Sequence, residues 1–378
     1  MIPTSLRSHG KVFPSRNEGL GSNFPRPGRG LPRRKIRIER RLARKQGMLI
    51  SMDKVESKLR TTRDAADLCG RWMSEIERVI AGKPDVVRKT VLSVLAKGHV
   101  LLDDVPGVGK TILANALARS VDAEFRRIQF TSDLLPGDLT GLSMPQFDAA
   151  GRTTGFQFQP GPLFGNLVLA DEVNRASPKT QSALLEAMSE HTVTVDGVTH
   201  PLPDPFFVIA TQNPLEHHGT HPLPESQLDR FLMRLKIGYP DRKHEARILA
   251  EDPTVHVLPS MRALLSVADL RGMQALTESI KVDERLLEYL LDIIEATRTD
   301  ESLDLGVSTR GALALRRAAQ ANAVIDGRDF CIPEDIRDLA VDVLAHRITV
   351  RGQAGNLIGP NESQWIVSEI VDRVAIPV

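Results

Sequence analysis

Residues 99–111 read His99-Val100-Leu101-Leu102-Asp103-Asp104-Val105-Pro106-Gly107-Val108-Gly109-Lys110-Thr111, and this stretch decides the fold. It opens as a short apolar run fit for a buried strand and passes into a glycine-containing loop. A helix pattern follows, with Leu113, Ala114, Leu117 and Ala118 along one face. Strand, loop and helix in that order are the context a phosphate-binding loop needs. The small residues of Pro106, Gly107, Val108 and Gly109 let backbone N–H groups approach phosphate oxygens, and the helix N-terminus adds partial positive charge. Lys110 would then reach the β- and γ-phosphates of ATP, and Thr111 would ligate Mg2+. The first glycine of the usual pattern is replaced by Asp104. Aspartate tolerates a left-handed backbone, so the turn can form there, with the carboxylate directed away from the phosphates.

Outward from this loop, apolar strand-like runs recur at 125–130, 167–170, 206–210 and 232–237, mostly separated by helical patterns. That alternation predicts an α/β fold with a parallel sheet. Upstream, residues 64–80 predict a helix with Leu68, Trp72, Ile76 and Val79 on one face, broken by Gly82-Lys83-Pro84. Asp85 is expected to cap a second helix, ended by Gly98. Past Tyr239-Pro240 the strands are expected to stop. Helices are predicted over 241–250, 283–297, 309–325 and 333–346, with 362–374 as a last one. The chain therefore divides into a leader (1–50), a nucleotide-binding domain (64–240) and an all-helical domain (241–378).

Leu167-Val168-Leu169-Ala170 ends in Asp171-Glu172. Strand alternation would point the two carboxylates apart. Asp171 is assigned to the metal and Glu172 to polarising the attacking water. The run at 206–210 closes in Thr211-Gln212-Asn213-Pro214, which could bring Asn213 to the γ-phosphate or the water, or be a simple turn starter. Arg230 is the one basic residue between His221 and Arg234. It is either a salt-bridge partner or a transition-state finger given to a neighbouring subunit. Arg310, at the start of the 309–325 helix, carries the same two readings.

In combination these motifs resemble the MoxR family of AAA+ ATPases over about residues 64–378. The residues carrying the resemblance are 104–111, ADEVNRA at 170–176, ATQNP at 210–214, LPESQLDRFL at 223–232, GVSTR at 306–310 and IPEDIR at 332–337. The resemblance implies an αβα nucleotide domain with a helical lid, ATP and Mg2+ as ligands, and hydrolysis at subunit interfaces of a homo-oligomer, a hexameric ring. It makes Asn213 the first sensor, Arg230 the arginine finger and Arg310 the second sensor, a residue that contacts nucleotide. It also matches 131–164, with its alternating Gly155-Phe156-Gln157-Phe158-Gln159, to the insert in helix 2 of one AAA+ clade. Residues 192–199 hold Asp196-Gly197 between β-rich arms, a hairpin signal. They match the hairpin before the first sensor. In ring ATPases of that clade such elements face the pore or the substrate. The implied function is chaperone-like remodelling of client protein complexes, including metal-cofactor insertion. A protein carrying a von Willebrand factor A domain would be a separate partner.

The 378-residue chain carries a formal charge of +1, but residues 1–50 hold 13 Lys and Arg against Glu18 and Glu39. The leader is thus +11, and the other residues, with 36 basic against 46 acidic, are −10. The leader has five Pro and six Gly and no helical or strand period, and is expected to be disordered. It reads as a start upstream of the true one at Met48 or Met52, as a polyanion-binding arm, or as an organelle transit peptide. A nucleic-acid motor using that arm and a nucleotide-gated scaffold are the alternative functions. An acidic body with 16 aromatic residues argues against the first, and the intact acidic pair against the second. Two cysteines, Cys69 and Cys331, exclude a disulfide framework and a cysteine-rich zinc site, and suit a reducing, cytoplasmic setting. No apolar run is long enough to span a membrane, and no apolar core of a secretory signal opens the chain.

Overall fold

The computed structural model describes residues 61–214, 219–352 and 360–377. All of them belong to one compact unit. The leader and its expected disorder lie outside the described residues. In chain order the strands are β1 (Val100–Asp103), β2 (Val121–Asp122), β3 (Phe125–Gln129), β4 (Gly141–Phe147), β5 (Thr153–Pro160), β6 (Leu167–Asp171), β7 (Thr192–Val195), β8 (Val198–Pro201), β9 (Phe207–Gln212), β10 (Met233–Leu235), β11 (Leu265–Ser266), β12 (Leu303–Leu305) and β13 (Thr349–Val350). The helices are α1 (Thr62–Glu77), α2 (Pro84–Leu95), α3 (Lys110–Ser120), α4 (Pro136–Thr140), α5 (Pro178–Glu190), α6 (Glu225–Leu228), α7 (Arg242–Glu251), α8 (Pro253–His256), α9 (Val267–Ser279), α10 (Glu284–Thr299), α11 (Thr309–Ile325), α12 (Pro333–Leu344) and α13 (Pro360–Arg373).

Five strands form a parallel sheet in the order β10-β1-β9-β6-β3. Its middle strands are buried along their length because both faces are covered, which is why they read as continuous apolar runs. Alternation sorts their side chains between two cores. Val100, Leu102, Leu167, Leu169, Phe207 and Ile209 join a core that continues through the N-terminal helices into the lid. Leu101, Val168, Ala170, Val208 and Ala210 face the other way, onto a core shared with α5.

The N-terminal helices do more than cover the sheet. Helix α11 of the lid packs on both α1 and α2, and α9 packs on α2. Lys89 of α2 reaches Asp342 of α12 at 2.7 Å, as well as Asp85 at 2.7 Å. Arg88 donates to Asn322 (2.7 Å) and Asp326 (2.6 Å) of the lid.

Several local expectations need amendment. Helix α2 starts from Lys83 with Pro84 as its first residue, so Asp85 sits in the first turn rather than at the cap. Proline fits there because the N–H it lacks would have had no partner. Strands also do not end at Tyr239: β11 pairs with β2, and β12 pairs with β13. At two or three residues each, they are too short to show a period. Both cysteines are buried, and burial pushes each thiol up to about 12.

Candidate nucleotide site

The loop after β1 turns on two glycines in the left-handed region, Gly107 (φ 86°) and Gly109 (φ 100°). A Cβ at either would meet no atom within 4 Å, so side-chain space on the loop is open while the backbone angle requires glycine. Helix α3 begins at Lys110, with its first N–H groups turned to the loop. Asp104 is not among the left-handed residues, which corrects the sequence expectation. It lies next to β1, and its carboxylate supplies what a glycine could not. One oxygen accepts from the Val105 N–H (2.8 Å), the other from the Gly238 N–H (2.6 Å) beyond β10. The carboxylate is thereby committed to backbone.

Lys110 Nζ donates to the carbonyls of Asp104, Val105 (3.1 Å) and Gln212 (3.2 Å). Burial pulls its pKa below the ordinary lysine value, opposed by Asp104, Asp103, Asp171 and Glu172. Parallel register brings the other groups alongside. β9 lies between β1 and β6, pairing Gln212 with Asp103 and Ala210 with Ala170. Asn213, next in sequence, is buried, and its carbonyl accepts from Asn174 Nδ2 at 3.2 Å. Asp171 is also buried. Thr211 Oγ1 donates to its Oδ1 (2.6 Å), Thr111 Oγ1 to its Oδ2 (3.3 Å), and Arg127 to the same Oδ2 (2.7 Å).

Glu172 departs from the strand. Its φ of 59° is left-handed, so the strand pleat does not set its direction. Arg127 reaches Asp171 and Gln129 reaches Glu172 from one face of β3, with Arg127 also donating to Gln129 at 3.3 Å. The two carboxylates therefore do not point apart as strand alternation predicts. A left-handed backbone of this kind costs on the order of 1–3 kcal/mol and persists where surrounding contacts enforce it. Here the Glu172 N–H donates to Thr211 Oγ1 (2.9 Å), while Gln129 (2.8 Å) and Arg175 (3.1 Å) hold the carboxylate. Thr211, Arg127, Gln129 and Arg175 were not singled out by sequence reasoning. The ATQNP motif contained the first, and the i, i+2 spacing of Arg127 and Gln129 on a strand beside β6 was the signal for the next two.

Among the described residues no cluster of three or more His, Cys, Asp or Glu could hold a metal. Thr111 and Asp171 offer one hydroxyl and one carboxylate. That donor set suits a Mg2+ that takes its other ligands from phosphate and water.

Arg230 and Arg310 lie elsewhere. Arg230 precedes β10, and its guanidinium donates to Leu185 O (2.6 Å) and Ser189 Oγ (2.7 Å) on α5. Arg310 sits in the first turn of α11, 3.8 Å from Asp229. Both line an open pocket of about 490 Å³ together with Lys97, Ser189, Asp229 and Arg317. Residues 96–99, which lead into β1, form another wall. This pocket is at the N-terminal ends of β1 and β10, whereas the glycine loop follows the C-terminal end of β1. A four-residue strand spans roughly 13 Å. Lys110, Thr111, Asp171, Glu172 and Asn213 are therefore gathered at one end of the sheet, and Arg230 and Arg310 at the other.

The two hairpins stand on the α5 side. In β7–β8 the turn residues Asp196 (φ 50°) and Gly197 (φ 79°) are both left-handed, as a two-residue hairpin requires. Phe158 of β5 stacks on His200 of β8 (ring centroids 3.9 Å apart), while Phe156 and Phe147 farther along are exposed.

Known proteins match this arrangement. A family model described as ATPase family associated with various cellular activities (AAA) matches residues 99–233, and one described as AAA lid domain matches 295–370. The chain is 48% identical over 315 residues to the uncharacterized protein YeaC of Bacillus subtilis, covering 83% of this chain and 97% of that one. It is 39% identical to the chaperone MoxR1 of Mycobacterium tuberculosis, over 81% of this chain and 82% of that one. A crystal structure from Cytophaga hutchinsonii, described as that of an inferred ATPase, superposes with a TM-score of 0.75 at 35% identity, covering 84% and 97% of the two chains. A parallel-sheet nucleotide domain with a helical lid, and relatives of this similarity along most of the chain, lead to one conclusion: it belongs to the MoxR family of AAA+ ATPases.

Proposed function

We propose that the protein is an ATP-driven remodelling enzyme that works as a homo-oligomeric ring, a hexamer, on client protein complexes in the cytoplasm. The observation that carries this reading is the separation of Arg230 and Arg310 from the glycine loop by the length of the sheet. One chain holds the parts of an ATP site at two opposite ends, so a complete site needs a neighbour. In that site the loop of 106–109 and Lys110 cradle the phosphates, Thr111 and Asp171 hold Mg2+, Glu172 polarises water and Asn213 orients it. Arg230 and Arg310 would come from the adjoining subunit. Mg2+, when bound with the nucleotide, neutralises phosphate charge. The split at about residue 240 between nucleotide domain and lid belongs to this proposal.

Turnover at each junction would move the lid and finger of one subunit against the loop of the next. The two hairpins, with exposed Phe147 and Phe156, would meet the client. The chaperone name of the mycobacterial relative supports a chaperone-like task. Maturation of protein complexes, including metal-cofactor insertion, is the form of it proposed for this chain. A separate von Willebrand factor A domain protein would be the adaptor.

The test is subunit mixing. Arg230→Ala chains should bind ATP and turn over about 10³-fold more slowly or worse. Adding Lys110→Ala chains, which lack the loop lysine and keep the finger, should restore hydrolysis. No restoration would refute the shared site.

A further inference from the structure

Arg347 follows α12 in the short turn Ala345–Arg347, and its side chain is only 2% exposed. A buried cation must be matched by acceptors. Most of those matching Arg347 come from the segment around Arg230. Nε donates to Asp229 Oδ1 at 2.8 Å, and Nη2 to the Asp229 carbonyl at 3.2 Å and to the Phe231 carbonyl. Nη1 donates to the Leu232 carbonyl at 3.2 Å and to the Val343 carbonyl near the end of α12, and lies 2.7 Å from His346 Nε2. The gripped residues, 229, 231 and 232, bracket Arg230. The second oxygen of Asp229 accepts from Ser308 Oγ (3.2 Å), the cap of α11, and lies 3.8 Å from Arg310. One carboxylate thus joins the finger segment to two lid elements. Burial pulls the Arg347 pKa down to about 10, opposed by Asp229, so the group stays a cation at neutral pH. A planar fork with five donors can span these acceptors, whereas a lysine ammonium is a single point.

We infer that Arg347 is a positioning residue for the finger. Through Asp229 and the carbonyls at 229, 231 and 232 it fixes the backbone on both sides of Arg230. It thereby ties the Arg230 segment to the lid that carries Arg310, so the two cations reach the neighbouring nucleotide as one unit. This rests on the reading of Arg230 as acting in trans. Arg347 touches no nucleotide; it acts through the loop it holds.

The experiment compares Arg347→Lys with the double variant Asp229→Asn, Arg347→Gln, which leaves no lone buried charge. ATP affinity and thermal unfolding are measured first, and the double variant is the one read if the lysine form does not bind ATP. Homogeneous assemblies should bind ATP within about twofold of wild type and lose about a hundredfold in kcat, the scale of a misplaced catalytic group. Mixing with Lys110→Ala chains should restore turnover, because those chains lend a well-held finger. Mixing with Arg230→Ala chains should not. A merely structural role would lower stability and ATP binding together, and would not depend on which subunit carries the change. Wild-type kcat, loss of ATP binding in both variants, or a loss that Lys110→Ala chains leave in place overturns the role of Arg347. Failure of the Lys110→Ala plus Arg230→Ala control overturns instead the trans reading beneath it.

Discussion

Thr211 has a single hydroxyl and uses it twice. The proton goes to Asp171 Oδ1 and a lone pair receives the Glu172 N–H, so one side chain sets both acids and supports the left-handed turn between them. Thr211→Val keeps the shape and leaves these buried groups without a partner. It should cost about 1–3 kcal/mol in urea unfolding and lower kcat, with Thr211→Ser restoring both. Glu172→Gln should instead leave ATP binding intact and reduce turnover by roughly 10²–10⁴-fold. Hydrolysis at the wild-type rate would remove Glu172 from the role of base. Sequence made the pair visible because an apolar strand ended in two carboxylates. It hid Thr211, since a threonine closing a strand has many uses, and only the register of β9 against β6 shows which one applies.

His99 shows what an element needs to hold its place. Its Nδ1 accepts from the Val208 N–H (3.1 Å) on β9, leaving Nε2 to donate to the Met188 carbonyl (3.2 Å) on α5. One imidazole just before β1 thereby ties a neighbouring strand and the helix beneath. That works only for the neutral ring, and burial pushes its pKa down to about 4. The folded form resists protonation while the unfolded chain accepts it near 6.5, so the unfolded state binds more protons between those values. Stability is fully present above about pH 6.5 and falls as pH drops toward 4, by on the order of 3 kcal/mol for this group. Unfolding free energies at pH 7 and 5 should differ less in His99→Gln than in wild type; an equal difference would show that the ring is not responsible. Most elements were legible because their caps and apolar periods agree, as in α11, whose bounds match the predicted 309–325. Helix α9 was missed although Ser266 and Asp269 form a capping box ahead of Leu270, Met273 and Thr277. Its apolar stripe is diluted by Gln274 and Thr277, both buried.

At the scale of the molecule, the sheet, N-terminal helices and lid share one continuous apolar core. Lys89–Asp342 and the Arg88 contacts reinforce it. Nucleotide domain and lid should therefore unfold in one calorimetric transition without nucleotide; two resolved transitions would mean that the shared core does not couple them. Sequence suggested a boundary near residue 240 because the strands thin out there. It could not show that helices before the glycine loop pack onto helices after that boundary, since this depends on contacts between distant segments. The placement of the two arginines at the strand starts, away from the loop at the strand ends, has a kinetic consequence. If each site is completed by a neighbour, an isolated chain can load nucleotide and keep it intact. Hydrolysis per chain would then climb with protein concentration while nucleotide bound per chain stays level, so that dilution alone switches the enzyme off.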